Sequence, residues 1–121
     1  MANQLPGVLQ AEIDMARRAL HSSWNAVSRA MQARNLGVHI NNVLSWVVAT
    51  PSIEAAASQV GEEAMRYFQV LERQPSAANP AQKEEAAKAL AAAEAAIAML
   101  AASLRDAQPS EEARILGTAW T

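Results

Sequence analysis

Residues 81 to 106 are nearly half alanine, and no other stretch limits the fold as much. Alanine is the strongest intrinsic helix former, and neither glycine nor proline interrupts these residues. Leu90, Ala93, Ile97, Leu100 and Leu104 recur there at spacings of three and four, which aligns them along one helical face. A helix with an apolar stripe has to bury it, and the remaining sequence offers only further helices as cover. Aromatic residues make up 4% of the chain, and four Gly and five Pro are too few for the turns of a small sandwich or barrel. The expected fold is all-α, a compact four- to five-helix bundle forming a single domain over residues 1–121, with a short, largely buried central helix.

The same spacing predicts the other elements. Residues 8–34 read as one long amphipathic helix, with Leu9, Ile13, Ala16, Leu20, Trp24, Val27 and Met31 on its apolar stripe. Asn35 and Gly37 suit a left-handed C-terminal cap. From Asn35 to Ile53 there is no charged residue. That run contains His39, Asn41, Asn42 and Ser45 and falls short of the about 20 apolar residues needed to cross a bilayer. It reads instead as the central helix, over 39–49, burying Ile40, Val43, Leu44 and Val47. Thr50-Pro51 is an N-cap followed by proline at the first helical position, and it starts a helix over 51–73. Residues 74–79 form the linker. Asn79, with Gln82 three residues on, starts the alanine-rich helix over 80–106. A last short helix over 110–116 ends at Gly117.

Several kinds of chemistry are excluded by residue types. Without cysteine there is no disulfide, no thiol nucleophile and no cysteine-bound zinc. A net charge of −2 speaks against a nucleic-acid partner, whose backbone demands cations. MANQLPGVLQAEID lacks a basic segment followed by an apolar run, so the expected setting is the cytoplasm, with no membrane partner. Alanine bias suggests a bacterial or phage origin. No phosphate-cradling glycine loop and no GxSxG occurs. Metal-binding bundles use Glu-x-x-His, but Arg18 stands three residues before His21 and Leu36 three before His39. No catalytic, metal or cofactor residue is therefore assigned. The pairs Glu84-Glu85 and Glu111-Glu112 suit helix starts, and Glu62-Glu63 reads as a solvated face.

Histidine phosphotransfer domains are bundles of this size with a solvent-facing histidine followed by small residues, a lysine and a glycine. Around His21 the sequence is LHSSWNA, with Trp24 in place of the lysine and Asn25 in place of the glycine. A phosphorylated imidazole would lose its cation partner there.

What remains are surfaces for a protein partner. Ala91, Ala95, Ala98 and Ala102 form a second stripe on the alanine-rich helix, where small side chains allow a close helix–helix approach. Three placements fit it: a partner surface, plain exposure, or packing against the Ala19/Ala26/Ala30 flank of the first helix. Trp120 either folds back or anchors another chain. Arg18 and Arg29 share a face of the long first helix and suit an acidic partner. The preferred function is a non-catalytic protein-binding module, an adaptor, chaperone or inhibitor that self-associates as a homodimer. The alternatives are a phosphotransfer-like or small-ligand-binding bundle using His21 or His39, and a structural subunit of a larger assembly.

Overall fold

A computed structural model describes residues 5–22, 26–75 and 77–117, with the side chains of residues 26 and 27 excepted. The fold is an all-α bundle: α1 (Gly7–His21), α2 (Ala26–Trp46), α3 (Pro51–Arg73), α4 (Pro80–Ser103) and α5 (Glu111–Leu116). The largest interfaces join α3 to α4 and α1 to α2; α2 also meets α3 and α1 meets α4, so the four long helices close a ring. One core cluster draws Leu9, Ile13 and Leu20 from α1, and Leu36, Ile40 and Val43 from α2, with Val47 just beyond its end. From α3 and α4 come Ile53, Val60, Phe68, Ile97 and Leu100. Each fully buried aliphatic side chain contributes roughly 1.5–3 kcal/mol relative to exposure.

The alanine-rich helix forms as expected, buried along Ala93, Ile97 and Leu100. Its regular part stops at Ser103, and residues 104–106 form a turn. Thr50 Oγ1 accepts the Ile53 N–H at 3.2 Å and caps α3. Asn79 Oδ1 accepts the Gln82 N–H at 2.8 Å while Gln82 Oε1 accepts the Asn79 N–H at 2.9 Å, a reciprocal capping box. Gly117 closes α5 at φ +26°, a conformation that favours glycine.

The first half of the chain departs from expectation. Residues 8–34 are not one helix: α1 stops at His21, where the N–H of Ser22 donates to the carbonyl of Ala19 at 3.3 Å, and α2 begins at Ala26. Ser22, Ser23 and Asn25 are weak helix formers, because their side chains offer the backbone competing hydrogen bonds. The buried stripe of α1 ends at Leu20, and Met31 is 56% exposed. Trp24 and the side chain of Val27 lie outside the described residues. Nor is 39–49 a separate helix: residues 39–46 are the last turns of α2 and 47–49 lie beyond its end, with Leu36, Ile40 and Val43 buried on α2 and Val47 buried just after it. Val38 and Val48 on the same segment are about half exposed (49% and 52%), so the uncharged run is core on one side only.

Gly37 is therefore helix interior and no cap. Carrying the 36–40–43 stripe in register requires the helix to run through it, and that burial outweighs the roughly 1 kcal/mol that glycine costs relative to alanine. A Cβ placed on Gly37 or on Gly61 would meet nothing within 4 Å, so close packing demands neither glycine. Gly37→Ala and Gly61→Ala are each expected to raise stability by about 0.5–1 kcal/mol. Urea unfolding midpoints check this; a loss at either position would mean that the added methyl is not accommodated.

The far end of α2 is closed by the segment after α4. Ser110 donates its N–H to the carbonyl of Trp46 at 3.0 Å and its hydroxyl to the carbonyl of Ser45 at 2.7 Å. The N–H of Val48 donates to the carbonyl of Gln108 at 2.9 Å. Ser110 Oγ also accepts the Ala113 N–H at 3.1 Å, so one residue ends α2 and starts α5.

Candidate functional site

The ring of helices leaves one side of α4 uncovered. Its inner side is held by α3 and α1 through Ala93, Ala96, Ile97 and Leu100. Ala91, Ala95, Ala98 and Ala102, on the other side, are all exposed. Of the three placements the sequence allows, packing against the first helix is not the one found: on that flank Ala19 is buried and Ala30 exposed. Met99 joins the stripe at 68% exposure. Ala91 to Ala102 spans eleven residues, about 17 Å along the axis. An ion pair of Lys88 with Glu84 at 3.6 Å borders it on one side, and the exposed Arg105 and Asp106 on the other. Among the described residues α4 is also the helix long and apolar enough to cross a membrane by length and composition.

The other expected partner residues are scattered. Arg18 is exposed near the end of α1 and Arg29 is half-buried on α2. Because the chain reverses between them, they do not share the face of a single helix. The Nε of Arg29 is buried without a hydrogen-bond partner among the described residues. Trp120 lies outside the described residues.

The two histidines have carboxylate partners that spacing could not indicate. The imidazole Nε2 of His21, half exposed on α1, is bonded to a carboxylate oxygen of Glu94 on α4. His39 Nδ1 lies 2.7 Å from Glu12 Oε2, with side-chain exposures of 21% and 17%. Asn42 Nδ2 donates to both oxygens of Glu12 at 3.3 Å. Glu12 on α1 is thereby tied to two residues of α2 one helical turn apart. Glu12 carried no signal in the sequence. His39 and Asn42 share a face at i and i+3, but the carboxylate that meets them lies 27 residues upstream.

Glu63 corrects a second expectation. Glu62 is exposed, but Glu63 is buried at 8% exposure, accepting hydrogen bonds from Gln59 at 3.0 Å and Arg66 at 2.8 Å. A carboxylate taken out of water requires such donors. Among the described residues no three His, Asp or Glu side chains gather as a metal centre would need. Comparison with known proteins finds no match to a family model, to a curated protein or to a solved structure.

Proposed function

We propose that this chain is a non-catalytic protein-binding module, and that a second copy docks on the outer face of α4. The observation that carries the reading is the exposed alanine strip Ala91, Ala95, Ala98 and Ala102, flanked on one side by Met99 at 68% exposure and on the other by Glu94, whose carboxylate is engaged with His21. Contiguous exposed apolar surface is characteristic of protein-interaction sites. Small side chains let two helix axes approach closely, and the charged residues at both ends would flank the contact and set its register. The alanine-biased composition is in keeping with a bacterial or phage origin, and the cytoplasm is the proposed setting.

Light scattering over about a hundredfold range of concentration tests this, because mass action makes association concentration-dependent. The expected mass is twice the 12.9 kDa of one chain. Ala95→Glu, at an exposed position, is expected to return it to one chain's mass with helicity by circular dichroism unchanged. A native protein that stays at one chain's mass throughout overturns self-association. A variant that keeps the doubled mass moves the interface away from α4.

A further inference from the structure

A cleft of about 200 Å³ runs along the seam between α1 and α2, on helices other than the one proposed above as the docking face. Its polar lining consists of Arg18, Ser22, Gln32, Asn35 and His39, and no carboxylate lines it. The charges around it are unevenly balanced. Arg17, next in sequence to Arg18, pairs with Asp14 at 3.6 Å, whereas Arg18 has no ion-pair partner among the described residues. Asp14, one turn before Arg18 on α1, also accepts from Gln10 at 3.0 Å, and Glu12 is committed to His39 Nδ1 and to Asn42. That bond fixes the imidazole and leaves Nε2 with no partner among the described residues. Asn35 donates to Gln32 at 3.3 Å, so the two amides beside Arg18 are oriented by each other.

The geometry points to a binding site for a small oxyanion, a carboxylate or a phosphate monoester, held by Arg18 with His39 and Asn35 beside it. A guanidinium presents paired N–H donors that match either group in a fork, and an unneutralised one lining a cleft without acids attracts an anion. The cleft is smaller than the roughly 300–1,000 Å³ typical of drug-sized ligands, which suits a compact anionic group.

The test is a titration of the labelled full chain with inorganic phosphate and, separately, with acetate, at ionic strength held constant by chloride. The ring signals of both histidines are followed by NMR. His39 is expected to move along a saturating curve while His21, engaged with Glu94 on another face, follows the chloride control. Saturation by phosphate, by acetate or by both supports the site, and which one saturates names the ligand class. Arg18→Gln is expected to weaken binding by about tenfold or more, the loss of a charge-assisted hydrogen-bonded pair. Since Arg18 is exposed, the melting temperature of that variant should stay that of the native protein. A linear response, equal movement of both histidines, or undiminished binding by Arg18→Gln overturns the proposal.

Discussion

Replacing Val43 by Asp is expected to abolish the cooperative thermal transition seen by circular dichroism. Val43 has no exposed surface and sits in α2 between Ile40 and Val47, inside the cluster that joins all four long helices. A carboxylate there finds no designed partner, and the cost of several kcal/mol is comparable with the roughly 5–15 kcal/mol that holds a domain together. The neighbouring position behaves differently. Leu44 is half-buried, on a groove it shares with Asn41, Glu54 and Ser58, where water reaches a new charge. Leu44→Asp should lower the melting temperature and leave the protein folded. Sequence spacing groups the two residues together; burial separates them. A native-like melt for Val43→Asp would mean that this stripe is not the interior.

Leu20→Ala should destabilise the chain by about 2–5 kcal/mol, the range for emptying a buried leucine site, while Met31→Ala should stay within about 0.5 kcal/mol. Leu20 is completely buried at the end of α1, and Met31 is 56% exposed on α2. In one continuous helix the two residues, eleven apart, would lie on the same stripe and lose comparable stability. Chemical denaturation of the two variants therefore distinguishes a helical hairpin from a long straight helix. Similar losses at both positions would restore the continuous helix and place Met31 in the core.

From Thr50 onward, most of the architecture was legible in the residues. Thr50-Pro51, Asn79 with Gln82, and Ser110 each start a helix where their side chains can reach an unsatisfied backbone N–H a turn ahead. Such caps involve neighbours three residues apart, so no distant information is needed. The break between α1 and α2 was harder to read. Ser22, Ser23 and Asn25 only weaken a helix, and the apolar stripe from Leu9 to Met31 runs across them unbroken in phase. Whether a weak point becomes a turn depends on what the two halves gain by packing on each other, and that gain is tertiary.

The candidate surfaces divide in the same way. The small-residue stripe of α4 was visible at once as a 4–3–4 pattern, but its exposure was not, because alanine is compatible with either side of a helix. Glu12 meeting His39 and Asn42, and Glu94 meeting His21, depend on which helices lie side by side. The sequence by itself determined the helical class, the capped starts of α3, α4 and α5, and most residues of the buried stripes, since these follow from backbone sterics, local hydrogen bonds and the 3.6-residue period. Only the tertiary structure decided where the first half of the chain turns back, which stripe faces water and which carboxylate holds each histidine, because those outcomes depend on contacts between residues far apart along the chain.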